Sequence, residues 1–177
     1  PWTAPLALCR GLFGAPPLRL PDRLGHGPAI LLFFAFAWFE LVDPAPDDPA
    51  RLARAVGGYW LFSFAMMLLV GEADWRRRGE FLSVFFGFIA RLAPLARRAG
   101  GGIALCPPGA KILRAAPVST SAACFVLLAL ASVSFDGLSR TFRYLDWIDV
   151  NPLEFPGRSA VLVENTAGLA LAALVLG

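Results

Sequence analysis

Charge is scarce in this chain. Asp, Glu, Lys and Arg make up only 16% of its 177 residues, 57% are hydrophobic and the mean hydropathy is +0.62. Ordinary soluble domains are about a quarter charged, so the shortage points away from them and toward a bilayer. Histidine is nearly absent too. The lone His26, in Gly25-His26-Gly27-Pro28, reads as a loop residue, and one imidazole cannot build the usual multi-histidine metal site. Cys9, Cys106 and Cys124 are an odd number without C-x-x-C spacing, which suggests neither a disulfide framework nor a cysteine-based zinc site. The chain has no Gly-x-Ser-x-Gly elbow, no H-E-x-x-H and no nucleotide-binding glycine motif. It also has no basic stripe interleaved with aromatics, so no nucleic-acid partner is expected. Pro5, Pro16, Pro17 and Pro21 interrupt the first residues, leaving no long apolar stretch of the kind a signal peptide needs. With no initial Met and a last residue, Gly177, inside an apolar run, the chain is expected to be an internal piece of a longer protein. The missing N-terminal helices would carry the insertion signal and be its nearest partners, together with the lipid bilayer.

Long apolar runs are what the chain has in abundance. They lie at about 29–43, 52–71, 119–135 and 159–177. A span needs about 20 apolar residues to cross a hydrocarbon core of ~30 Å. The expected fold is therefore all-α, a single integral-membrane helical bundle over 1–177 with about four transmembrane helices. The loop 44–49 holds Pro44, Pro46 and Pro49, which stop a helix and make a hairpin between the first two spans. Phe81 to Leu92 is very apolar but ends at Pro94 after twelve residues, so it is expected to be an interfacial or re-entrant helix. Gly100-Gly101-Gly102 and Cys106-Pro107-Pro108-Gly109 read as irregular.

The basic residues orient the layout. Arg and Lys number three in residues 1–27 and eight in 72–118, against two in 44–54 and three in 136–158. Four spans with the loop 72–118 cytoplasmic satisfy the positive-inside rule; a crossing at 81–92 would split Arg76, Arg77 and Arg78 from Arg97 and Arg98. The Arg76-Arg77-Arg78 run reads as a topology anchor near anionic headgroups.

The same layout gathers the acids. Glu164 and Asn165 enter the last span, Glu40 and Asp43 end the first and Asp136 ends the third, all toward the outer leaflet. An ionisable residue inside a span is by default a candidate functional site, so these five form the candidate ion or proton site, with Ser132 and Tyr59 as helpers. Glu164, Gly168 and Ala172 recur every four residues as a small-residue stripe, which predicts that Glu164 faces protein. The competing structural reading pairs Glu164 with Arg54 or Arg140 and leaves Asp43, Asp47, Asp48 and Asp136 as loop or helix-end acids. Ser134-Phe135-Asp136-Gly137-Leu138-Ser139-Arg140 is explained by a tight turn.

Phe39-Glu40-Leu41-Val42-Asp43-Pro44, Ser134-Phe135-Asp136-Gly137-Leu138-Ser139 and Glu164-Asn165-Thr166-Ala167-Gly168-Leu169 together resemble a group of bacterial polytopic membrane proteins commonly labelled fenitrothion hydrolase. The resemblance covers most of the chain and makes it the C-terminal portion of such a protein, in a bacterial inner membrane. It implies hydrolysis of organophosphate-type esters but assigns no catalytic residue, metal or cofactor here. The residues themselves favour translocation of a small solute or cation through the carboxylate cluster. Two alternatives stand beside it: a membrane-bound hydrolase with Asp136, Glu40 and Glu164 holding a divalent metal or acting as general base, and a non-catalytic subunit of a membrane complex.

Overall fold

A computed structural model describes residues 3–97, 100–113, 115 and 117–176. Arg98, Arg114 and Gly177, read above as parts of the basic loop and the last span, lie outside the described residues.

The described residues are mainly helical. Helix α1 (Thr3–Phe13) is followed by a single 3-10 turn at Asp22–Leu24 and by α2 (Gly27–Leu41), which has Pro28 in its first turn. The proline-rich loop ends at Asp48, whose carboxylate accepts from Arg51 N at 2.8 Å and caps α3 (Pro49–Val70), with Pro49 at its first position. Gly71, at φ +92°, ends α3 and lets the chain reverse at once into α4 (Glu72–Arg78). Helix α5 (Phe81–Leu92) has the bounds its apolar run predicts. Gly100-Gly101-Gly102 are irregular, as expected, and lie between the strands of a short antiparallel ribbon that the sequence did not suggest, β1 (Leu95–Arg97) with β2 (Ile103–Leu105), Ala96 opposite Ala104. A turn of helix, α6 (Ala110–Leu113), leads to α7 (Thr120–Ser139), capped by Ser119. Helix α8 (Phe142–Trp147), a 3-10 turn at Pro152–Glu154 and α9 (Leu162–Leu176) complete the order.

Helix α3 starts three residues earlier than expected, at Pro49, α2 is shifted by two, and two further boundaries depart from the sequence reading. The expected turn at Ser134–Arg140 is helix, because α7 runs through Asp136 and Gly137 to Ser139. A mid-helix glycine costs about 1 kcal/mol relative to alanine. Here Arg140 reaches back one turn to Asp136, and the Ser139 hydroxyl donates to the Asp136 carbonyl at 3.1 Å. Helix α9 starts three residues later than expected, after a turn in which Gly157 takes φ +94° and Ala160 N donates to Gly157 O.

Helices α3 and α7 are long and apolar enough to cross a membrane, with hydropathies of 1.5 and 1.8 over their best windows. Helices α2 and α9 have 15 residues each, about 22 Å at ~1.5 Å per residue. The core falls into three clusters. Phe33, Phe81, Val84, Phe125 and Leu128 pack α5 into the angle of α2 and α7. Leu6, Leu20, Met67, Val70 and Trp75 join α1, α3 and α4. Ala37, Val42, Phe135, Tyr144 and Leu169 join α2, α7, α8 and α9.

The α4–α5 hairpin positions the site. Its tip is Gly79, where a Cβ would lie 2.2 Å from the Trp75 ring, so no larger residue fits without displacing that buried indole. From the tip α5 runs back toward the start of α2 and α7: Phe81 meets Phe36 and Phe33 at ring-centroid distances of 5.4 and 5.9 Å, and Phe88 meets Phe125 at 6.2 Å. The hairpin therefore fills only one half of the space between α2 and α7.

Candidate functional site

At the start of α5, a groove of about 370 Å³ is left between α2, α5 and α7. Phe33, Phe36, Phe81 and Phe85 line it with aromatic rings, and Glu40, Ser132 and Asp136 supply its polar atoms. The structure thus brings together two carboxylates and a hydroxyl that are nearly a hundred residues apart in sequence. Their states differ. Asp136 Oδ1 accepts from Arg140 Nε at 3.1 Å and Nη2 at 2.8 Å. Ser132 is buried and its Oγ donates to Ala129 O at 2.9 Å. Glu40 is exposed and makes no ion pair among the described residues.

The other expected members lie elsewhere. Asp43 is buried, but its carboxylate accepts from Arg51 Nη1 at 3.0 and 3.2 Å and from Ala45 N at 2.9 Å, closing the loop after α2. Arg54 borders that corner and donates to Ala50 O of its own helix at 3.1 Å. Glu164 does not face protein as the small-residue stripe predicts. It is exposed, and neither Arg54 nor Arg140 pairs with it, the latter being taken by Asp136. The stripe itself packs: a Cβ on Gly168 would lie 2.6 Å from the Phe135 ring and 2.7 Å from the Tyr144 hydroxyl. Asn165, next to Glu164, faces inward. Its Oδ1 accepts from the Tyr144 hydroxyl at 3.0 Å. Burial raises the Tyr144 pKa, and the Glu164 carboxylate raises it further, so this phenol stays protonated and able to donate.

Glu80, in the basic loop 72–118, is a buried acid that the sequence reading did not single out. It is 4% exposed, at the tip of the α4–α5 hairpin. One carboxylate oxygen accepts from Ser83 N at 2.7 Å, and the other from Leu82 N at 3.2 Å and from the Tyr59 hydroxyl of α3. Tyr59, grouped above with the outer acids, belongs to this contact instead. A usable signal lay in Gly79-Glu80 directly before the apolar run, since an acid in that position caps the helix that follows. His26 also gains a partner unseen in the sequence: Ser121 Oγ lies 3.1 Å from His26 N and 3.2 Å from Nδ1, tying the starts of α2 and α7. Burial, then Arg78, Arg77 and Arg91, lower its pKa, so it is neutral at pH 7.

Among the described residues no three His, Cys, Asp or Glu side chains converge to hold a metal ion. Glu40, Asp136 and Glu164 in particular do not, because Glu164 does not line the groove. The groove can offer a ligand aromatic faces, one hydroxyl and two carboxylates, an environment suited to a positively charged group. No protein-family model, curated protein or solved structure matches this chain.

Proposed function

We propose that this chain is part of a polytopic membrane protein that translocates a small cation or cationic solute, and that the groove between α2, α5 and α7 is its binding site. The observation that carries the reading is the convergence of Glu40, Ser132 and Asp136 on one aromatic-lined groove. In this reading α2, α3, α7 and α9 all cross, α4 and α5 form a re-entrant hairpin, and the basic end of the bundle lies in the cytoplasm. The exposed apolar surface supports membrane burial: only 17% of the best window of α3 and 33% of that of α7 are covered by protein. Large uncovered apolar faces are rare on soluble monomers.

Each groove residue has a distinct part. Glu40, free of a cationic partner, attracts the ligand. The rings of Phe36, Phe81 and Phe85 replace water around it, each cation–π contact contributing about 0.5–2 kcal/mol. Asp136 is pre-paired with Arg140, whose side chain is 72% exposed, so an arriving cation can displace the guanidinium into water. Glu164 and Asp43 stand outside the site.

Full-length protein in proteoliposomes is expected to pass Na⁺ or tetramethylammonium, and Glu40→Gln to lower that flux by about tenfold or more, the scale of a lost charged contact. Glu154→Gln, on an exposed turn, serves as the control. No flux in the wild type, or equal flux in Glu40→Gln, removes the proposal. Ester hydrolysis, as the family resemblance implies, would use the same carboxylates as general base. Cleavage of an organophosphate ester in the same vesicles, lost in Asp136→Asn and without cation flux, would favour it instead.

A further inference from the structure

Asp136 separates the groove from a second, smaller cavity of about 120 Å³ between the end of α7 and the start of α9. Its polar lining is almost all donors. Arg158 gives Nη1 to the carbonyls of Glu40 at 3.0 Å and Asp43 at 3.4 Å, at the end of α2. Its Nη2 and Nε have no protein partner among the described residues. Arg140 spends Nε and Nη2 on Asp136 and keeps Nη1. Asn165 is oriented by Tyr144: with Oδ1 accepting from the phenol, the amide nitrogen and its two N–H groups are left for the cavity. Two guanidinium groups against one carboxylate leave the lining with a net positive charge, while Leu41, Leu145, Phe155 and Val161 give it apolar walls. Glu164, next to Asn165 in sequence, is exposed and does not line it, nor do Glu40 and Asp43.

We infer that this cavity is an oxyanion site, taking a phosphate-type group between Arg158, Arg140 and the Asn165 amide. Guanidinium groups match such oxygens geometrically, and charge-assisted bonds to them are about twice as strong as neutral ones. Arg158 and Asn165 are half-buried, and half-buried donors that the protein leaves unpaired are the groups a ligand would satisfy; Arg140 closes the cavity from the exposed side. The inference goes beyond cation translocation: its cavity shares Asp136 with the groove, but Arg158 and the Asn165 amide, which carry its test, have no part there. The oxyanion can be free or belong to a phospholipid headgroup.

The test is thermal unfolding of the full-length protein in a neutral, phosphorus-free detergent, titrated in parallel with inorganic phosphate and with phosphatidylglycerol. The wild type is expected to show saturable stabilisation by one of the two ligands. Asn165→Asp keeps an oxygen for Tyr144 but replaces the donors with a negative acceptor, and is expected to weaken binding by about tenfold or more, as for one hydrogen bond to a charged group. Arg158→Gln is expected to do the same. Because Arg158 also holds the end of α2, Asn165→Asp decides the matter if Arg158→Gln fails to fold. Stabilisation by phosphate alone, lost in Asn165→Asp, supports a free oxyanion; stabilisation by phosphatidylglycerol alone, lost likewise, supports a headgroup. No stabilisation of the wild type by either, or equal stabilisation of Asn165→Asp, overturns the site.

Discussion

A carboxyl group with 4% of its surface exposed needs partners for its oxygens, and Glu80 has three donors: Leu82 N, Ser83 N and the Tyr59 hydroxyl. The first two are orphan amides at the start of α5, where negative charge also meets the positive end of the helix. The third reaches across from α3, so one side chain both caps the hairpin's second helix and fixes its tip midway along α3. Removing one partner of a buried charged pair leaves the other unsatisfied, at a cost of about 1–3 kcal/mol. Tyr59→Phe is expected to lower stability by that amount. Glu80→Ala, which also removes the cap, should cost more. Unfolding by a graded denaturant in detergent measures both, and a Tyr59→Phe midpoint equal to that of the wild type would show the contact to be idle. The sequence alone could not separate Glu80 from Glu72 and Asp74, which do pair with neighbouring arginines on α4 as loop acids in a basic segment should. Burial of Glu80 depends on where the hairpin folds, and that is decided by Gly79 against Trp75.

Periodicity explains both the success and the failure of the sequence at the level of α9. The stripe Glu164, Gly168, Ala172 correctly marks the face that packs on α7, yet its first member is exposed. Each step of four residues advances about 400° at ~3.6 residues per turn, so positions one step from the contact are rotated by about 40°. The buried face is instead Asn165, Gly168, Leu169 and Ala172, the i, i+3, i+4, i+7 set, and it leaves Glu164 beyond the edge. A charge count along the run points to Glu164; the helical wheel points to its neighbour. At Gly168 the approach is close enough that even a methyl group must displace Phe135, itself 1% exposed. Gly168→Ala is expected to destabilise by about 1–3 kcal/mol through overpacking, despite the better helix propensity of alanine. Gly168→Leu should separate α9 from α7. Loss of Trp38 fluorescence shielding would report it, because the Trp38 indole donates to Thr166 on α9 at 3.0 Å. Unchanged stability in Gly168→Ala would mean that the two helices pack less closely than described. Short-range pattern also fixed Phe81–Leu92 to the residue, since Glu80 and Pro94 bracket the apolar run, but it misread Asp136–Ser139, where the Arg140 pair carries the helix past a glycine.

For the molecule as a whole, the decisive quantity is the number of crossings between the loop after α2 and the ribbon β1–β2. Arg77, Arg78 and Arg91 lie toward His26 at the start of α2, while Arg51, Arg140 and Arg158 lie toward Asp43, Asp136 and the end of α2. Helix α3 joins these two ends. Helix α5 has 12 residues, about 18 Å at ~1.5 Å per residue, too short for a core of ~30 Å. Its tip is tied by Tyr59 to the middle of α3, so in the proposed topology the hairpin enters and leaves by the basic end. Asp47, at the exposed loop, and Leu105, 83% exposed on the ribbon, should therefore lie on opposite sides of the bilayer. In a background with Cys9, Cys106 and Cys124 replaced by serine, Asp47→Cys in intact spheroplasts is expected to react with a membrane-impermeant maleimide. Leu105→Cys is expected to react only after permeabilisation. If α5 crossed, the two would share a side and label together. That outcome would also place Glu80 and Phe81 at a membrane surface, where the groove between α2, α5 and α7 would have no mid-membrane floor. Labelling on opposite faces leaves the hairpin tip inside the bilayer, with the groove opening above it toward Glu40 and Asp136.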